Sequence, residues 1–157
     1  MQNSAAPAGL LPYRERLAPS LKIFAGAAVV APMAALSVVP LGRVAALAIG
    51  AGAALALVAL LIAAAPRVTV ADGILRAGRA HIDVAHLGEP AALEGEEARR
   101  ARGVDLDARG WHLIRGGIAG MVVVPNTDPD DPVTSWAIST RTPDRLAAAI
   151  RSAQIAG

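Results

Sequence analysis

The sequence predicts an α+β membrane protein in which a two-helix transmembrane hairpin precedes a small antiparallel β domain with a C-terminal helix. Two apolar stretches predict the hairpin, at residues 21–39 and 44–65, and the second has no charged residue. A helix needs about 20 predominantly apolar residues to cross a hydrocarbon core of about 30 Å. Charges, turn signals and short alternating apolar runs begin after Pro66, and they predict the β domain.

These patterns predict three segments. Residues 1–19 form a cytoplasmic N-terminal tail, residues 20–65 form the hairpin, and residues 66–157 form a cytoplasmic β domain with its last helix at 143–155. A cleaved signal peptide is the alternative for the first apolar stretch. A second and longer stretch follows after only four residues, with no small-x-small cleavage site between them, so we favour the helical pair.

Small residues recur every four positions in both apolar stretches. They are Ala27, Ala31 and Ala35 in the first and Ala46, Gly50 and Ala54 in the second. Small residues at this spacing let two helix backbones approach closely. These faces are therefore candidates for close packing of helices, and a homo-oligomer through them is one such arrangement. Pro32 lies inside the first stretch and is expected to bend that helix.

Basic residues near the ends of the apolar stretches predict the orientation of the hairpin. Arginine and lysine occur on both outer flanks, whereas the turn between the stretches has only Arg43. Both ends of the chain are therefore predicted to be cytoplasmic, in a multi-pass protein of the plasma membrane. The chain has no cysteine, which excludes disulfides, thiolate nucleophiles and cysteine zinc sites.

The segment after Pro66 has the period-two alternation of half-buried strands. The predicted strands cover residues 67–70, 74–77, 81–86, 90–93, 111–114, 120–124 and 134–139. A short exposed helix is expected at 94–102, and Thr142 is expected to cap the last helix, with Pro143 at its first position. Short strands followed by one amphipathic helix are the order of a pleckstrin-homology-like domain, which is an analogy of fold alone.

Seven basic residues are candidates for contact with an anionic lipid or another anionic partner. They are Arg14, Arg16, Lys22, Arg67, Arg76, Arg79 and Arg141. Arg141 also has a local alternative, an ion pair with Asp144. The net charge is +3 up to Ala65 and −1 from Pro66 onward, so the basic excess lies beside the predicted hairpin, and we expect no nucleic-acid partner.

No catalytic, cofactor or metal site is predicted. On a strand, His81 and Asp83 share one face and His86 points to the other, so the three cannot converge. The acidic turn at 126–132 lacks the glycine and the terminal glutamate of a calcium loop, and we interpret it as a rigid solvated turn. The two tryptophans, Trp111 and Trp136, are expected in the core rather than on a partner-binding surface.

The leading hypothesis is a non-enzymatic integral membrane protein whose cytoplasmic β domain is an interaction or assembly platform. Its partners would be the lipid bilayer and another protein. The first alternative is sensing of a lipid or a small anionic ligand by the membrane-proximal β domain. The second is a membrane-bound hydrolase, which would need His81, Asp83 and a further ligand to converge.

Several motifs along the chain carry a family resemblance. They are Tyr13-Arg14-Glu15-Arg16-Leu17, Asp72-Gly73-Ile74-Leu75-Arg76-Ala77-Gly78, Thr127-Asp128-Pro129-Asp130-Asp131-Pro132, Ser139-Thr140-Arg141 with Trp136 before it, and Pro143-Asp144-Arg145-Leu146. Over nearly its full length the chain resembles an uncharacterised family of actinobacterial membrane proteins, domain of unknown function 3093. The resemblance implies a location in the cell membrane, and it implies no activity.

Overall fold

The computed structural model describes residues 12–18 and 21–157, so most of the predicted tail, residues 1–11 and 19, lies outside the described residues. The chain divides into two compact units. One, the hairpin unit, spans Ala18–Ala65. The other, the β unit, contains the described residues 12–17 together with residues 66–157. The hairpin unit is therefore inserted into the sequence of the β unit.

The hairpin unit contains helix α1 (Leu21–Ser37), a short 3-10 helix (Val39–Leu41) and helix α2 (Arg43–Ala63). Pro32 lies inside α1. Among the described residues, α2 is the one helix long and apolar enough to cross a membrane by length and composition. The first predicted span, at residues 21–39, is not shown in this way, because α1 has only 17 residues.

The two helices pack through small residues of these candidate faces, among them Ala31, Ala35, Ala46 and Gly50. Ala46 and Gly50 are the buried residues of α2. A β-carbon added at Gly50 would lie 2.8 Å from the carbonyl oxygen of Ala31 and 2.9 Å from Cβ of Ala35. Ala54 is half-buried, and the side chain of Ala27 lies outside the described part of the structure. The backbones of α1 and α2 thus approach closely where glycine is needed.

The first sheet of the β unit is antiparallel, with strands in the order β1-β2-β3-β4. They are β1 (Tyr13–Arg16), β2 (Arg67–Ala71), β3 (Ile74–Ala77) and β4 (Ala80–Asp83). The prediction placed residues 13–16 in a tail, and the structure corrects this. Their short Tyr-Arg-Glu-Arg run alternates between inward and outward positions, a strand pattern that its charges obscure.

The predicted strand at 81–86 ends early, at Asp83. A short 3-10 helix (Val84–His86) follows, and the Asp83 side chain caps it by accepting a hydrogen bond from the Ala85 amide at 2.9 Å. Ile82 and Val84 are buried as expected, whereas His86 is exposed. The local cap therefore turns the chain before His86 can join the buried face.

The second sheet has the strand order β5-β7-β8-β6. Its elements are β5 (Ala91–Leu93), helix α3 (Gly95–Ala101), β6 (Trp111–Leu113), β7 (Met121–Pro125) and β8 (Ser135–Ser139). All of these elements lie within or close to their predicted ranges. The pairing of β6 with β8 is parallel, which departs from the antiparallel domain that the sequence predicted.

Helix α4 (Pro143–Ala156) closes the β unit and buries Leu146, Ala147, Ile150 and Ala153. These side chains join one hydrophobic core with residues of both sheets. Trp136 is buried in this core, and half-buried Trp111 packs against it with ring centroids 5.9 Å apart. Thr142 occupies the N-cap position, but its side chain makes no capping hydrogen bond, in contrast to the prediction.

Candidate functional site

Four of the seven predicted basic residues lie on one face of the first sheet. The register pairs Arg16 with Arg67 across β1 and β2. It also pairs Arg14 with Thr69, and Thr69 with Arg76 on β3. We call this surface, defined by Arg14, Arg16, Arg67 and Arg76, the arginine face.

The alternation of the strands explains why these arginines share a face. The residues between them point into the core, and they are Val68, Val70, Leu75 and Ile82. All four arginines are exposed. Because side chains alternate along a strand, burying the valines and leucine directs the arginines to the opposite side of the sheet.

The other three predicted basic residues lie elsewhere. Arg79 is exposed in the turn between β3 and β4, three residues after Arg76 of the arginine face. The side chain of Lys22 lies outside the described part of the structure. Arg141 follows β8, and its Nη1 lies 3.7 Å from Oε1 of Glu15. The structure thus gives Arg141 an ion-pair partner in β1, far away in the sequence.

A polar junction joins β1 to the segment between β8 and α4. The Glu15 carboxylate accepts hydrogen bonds from the Tyr13 hydroxyl at 2.7 Å, the Thr140 hydroxyl at 2.5 Å and the Arg141 amide at 3.0 Å. The Tyr13 hydroxyl also lies 3.0 Å from the hydroxyl oxygens of Thr140 and Thr142. Two motifs from opposite ends of the sequence therefore form one network, which we call the Glu15 junction.

The environment of the junction favours the neutral form of Tyr13. Burial raises the pKa of the Tyr13 phenol, and hydrogen bonds with Thr140 and Thr142 oppose this shift. The Glu15 carboxylate, which accepts the phenol proton's hydrogen bond, also raises this pKa. Tyr13 therefore donates a hydrogen bond to Glu15 at neutral pH, and the junction connects β1 to the segment before α4.

An open groove of about 1350 Å³ lies beside the junction. β1, the turn after β2 and helix α4 contribute its walls. Arg14, Arg141 and Arg145 line the groove together with small residues of α4 such as Ala149 and Ala153. Arg145 was not among the predicted contacts, because no pattern in the sequence distinguishes it from other exposed arginines.

The histidine and aspartate residues do not converge on a metal. Within the described part of the chain, no three His, Cys, Asp or Glu side chains are placed to hold a metal ion. His86 instead lies 3.9 Å from a carboxylate oxygen of Asp128. Asp128 and Asp131 accept hydrogen bonds from amides of their own turn, consistent with a rigid turn.

A second carboxylate, Asp107, organises the loop before β6. It accepts hydrogen bonds from the hydroxyls of Thr134 and Ser135 and from the Arg109 amide. The bond from Thr134 is the main reason that the pKa of Asp107 lies below its usual value. This contact holds the loop against the start of β8, and sequence analysis did not find it because its partners are 27 and 28 residues away.

The family model described as Protein of unknown function (DUF3093) matches residues 12–150. The chain belongs to this family. The match begins at β1 and ends within α4, so the DUF3093 region includes the hairpin and both halves of the Glu15 junction. No curated protein and no solved structure matches the chain. The predicted family is confirmed, and it provides no activity for the junction or the arginine face.

Proposed function

We propose that this DUF3093 chain is an integral membrane protein without enzymatic activity. Its hairpin would anchor the β unit at the cytoplasmic face of the plasma membrane, where the β unit would act as an interaction or assembly module. The observation that carries the proposal is the packing of the hairpin, which exposes large apolar side chains and buries small ones.

The exposed side chains of the hairpin are those that a bilayer would cover. Leu36 and Leu47 are each 71% exposed, and Leu55 on α2 is also 71% exposed. The contact between the helices involves alanine and glycine instead. In water, exposing so many leucines is unfavourable, whereas in lipid they need no protein partner, and small residues let helices associate.

The length of α1 is compatible with a span. Its 17 residues rise about 26 Å, a few ångströms less than the hydrocarbon core. A shortfall of this size can be accommodated by local thinning of the bilayer.

The connections of the hairpin support a β unit on one side of the membrane. The chain enters the hairpin after β1 and returns at β2, and these strands are neighbours in one sheet. The Leu17 amide donates a hydrogen bond to the Pro66 carbonyl at 2.9 Å, which closes the base of this insertion. Arginines lie on both sides of the insertion, which favours the cytoplasm for both termini.

The pleckstrin-homology-like assignment belongs to the same proposal. Two sheets and a C-terminal helix around one core support it. The parallel pair of β6 and β8 is a departure from an antiparallel meander. The role of an interaction module is supported by the groove between β1 and α4, because a groove lined by both apolar and basic residues can receive a ligand or peptide.

Topology is tested with single cysteines, since the native chain has none. Ser152→Cys reports on α4, and Val39→Cys reports on the turn between the hairpin helices. In bacterial cells, a membrane-impermeant maleimide should label Val39→Cys in intact cells and Ser152→Cys only after permeabilisation. The chain should also remain in the membrane pellet after alkaline carbonate extraction.

Two results would contradict the proposal. Release of the chain by carbonate would show that the hairpin does not anchor it. Labelling of Ser152→Cys in intact cells would place the β unit outside the cytoplasm and replace the interaction module with a role in the cell envelope.

A further inference from the structure

We propose that the arginine face binds the phosphate groups of anionic phospholipids in the membrane that holds the hairpin. This inference rests on the proposed anchoring and names a partner for the β unit. It is carried by the distribution of charge across the first sheet.

Positive charge concentrates at the end of the sheet where the chain enters and leaves the hairpin. The first row across the strands contains Arg16 and Arg67, and Arg79 follows in the adjacent turn. The second row contains Arg14, Thr69, Arg76 and His81. The acidic residues of this sheet's outer face and turns, Asp72 and Asp83, lie at the opposite end.

Like charges face each other across the strands of the arginine face. Arg16 and Arg67 are directly opposite across β1 and β2, an arrangement that is destabilising for like charges. Among the described residues, the ion pairs do not include Arg14, Arg67 or Arg76. An external anion would offset this repulsion, and arginine matches phosphate oxygens through paired N–H donors.

Chain length limits how far this charge can lie from the membrane. Arg16 precedes the first residue of α1 by five positions, and Arg67 follows the last residue of α2 by four. Even fully extended, such connections span at most about 18 Å. Lipid headgroups occupy several ångströms beyond each end of the hydrocarbon core, so connections this short let both arginines reach them when α1 and α2 span the bilayer.

A cysteine at the centre of the arginine face tests the proposal. Thr69 lies between Arg14 and Arg76 in the register, so Thr69→Cys reports on coverage of the face. The full chain is reconstituted in nanodiscs of phosphatidylcholine alone or mixed with phosphatidylglycerol, and alkylation by a neutral, water-soluble maleimide is timed. Val104→Cys is the control, because Val104 is 86% exposed and lies on the loop after α3.

We expect phosphatidylglycerol to slow alkylation of Thr69→Cys and not of Val104→Cys, and high salt to reverse the effect. Arg16→Gln with Arg67→Gln should remove the protection, since each arginine near an anionic surface contributes about fivefold to binding. Arg99→Gln with Arg100→Gln removes the same charge from exposed positions on α3 and should leave the protection intact.

Three results would overturn the proposal. They are equal alkylation of Thr69→Cys in both kinds of disc, equal loss of protection in the two double variants, and protection in neutral discs by inorganic phosphate at matched ionic strength. Carbonate extraction of the same chain reports on anchoring separately. A chain that stays anchored but unprotected contradicts the lipid contact alone, whereas an extracted chain contradicts the proposed function.

Discussion

In the hairpin unit, the buried residues of α2 are Ala46 and Gly50, and leucines point outward. In the β unit, the fully buried side chains include Leu75, Met121 and Ile138, and arginines point outward. The β unit therefore buries leucine side chains, whereas the hairpin unit exposes them.

The difference shows that burial of a leucine contributes differently to the stability of the two units. A leucine that leaves water contributes about 2 kcal/mol to folding, and this is what holds the sheets and α4 together. A leucine that moves from lipid to a helix interface gains little, so close backbone contact through small residues holds the hairpin instead. The same substitution made in each unit therefore distinguishes the two kinds of packing by its effect on stability.

The largest expected effect is that of Leu75→Ala compared with Leu55→Ala. Leu75 is fully buried on β3, whereas Leu55 on α2 is 71% exposed. Leu75→Ala should lower the free energy of unfolding of the β unit by about 2–5 kcal/mol, because it removes buried area and leaves a cavity. Both tryptophans belong to the β unit, so their fluorescence during urea unfolding of the full chain in detergent micelles reports this loss.

Leu55→Ala is the matched control, with an unchanged urea midpoint expected. An equal loss from both substitutions would mean that Leu55 contributes to the stability of the β unit, and the contrast between the units would then fail.

The second prediction compares two glycines of α2 within the hairpin unit. Gly50→Leu places side-chain atoms against the carbonyl of Ala31 and Cβ of Ala35, whereas a β-carbon at Gly52 meets no atom within 4 Å. Overpacking against backbone should destabilise the helix pair by about 3 kcal/mol. The loss of helical circular dichroism during titration with SDS measures this. Gly52→Leu should behave like the native chain, and the same sensitivity at both glycines would show that α1 and α2 do not pack at Gly50.

Local signals predicted most elements of the β unit. Asp72-Gly73 fixed the turn between β2 and β3, with both residues at positive φ, and Pro143 began α4. These features depend on neighbouring residues, so the sequence displays them. The parallel pairing of β6 with β8 depends on contacts between residues about 25 positions apart, and no local pattern specifies it.

The candidate site was predicted only in part for the same reason. The sequence identified Arg14, Arg16, Arg67 and Arg76 by their charge and their nearness to the hairpin. It could not place them on one face, because that requires knowing that residues 13–16 form a strand paired with β2 across an insertion of 48 residues. The pairing of Glu15 with Thr140 and Arg141 was hidden by a larger separation, of 125 and 126 positions.

The smallest of these effects tests whether contacts of β1 stabilise the β unit, although the hairpin separates β1 from the rest of that unit in sequence. Glu15→Gln keeps the size of the side chain but removes its charge, and one amide oxygen cannot accept three hydrogen bonds as well as the carboxylate does. We expect the β unit to lose about 1–2 kcal/mol in urea unfolding followed by tryptophan fluorescence. Glu97→Gln, on the exposed face of α3, removes the same charge and should change little. If the two variants unfold alike, the Glu15 junction does not stabilise the β unit, and the hydrogen bonds between β1 and the segment before α4 contribute nothing to its folding.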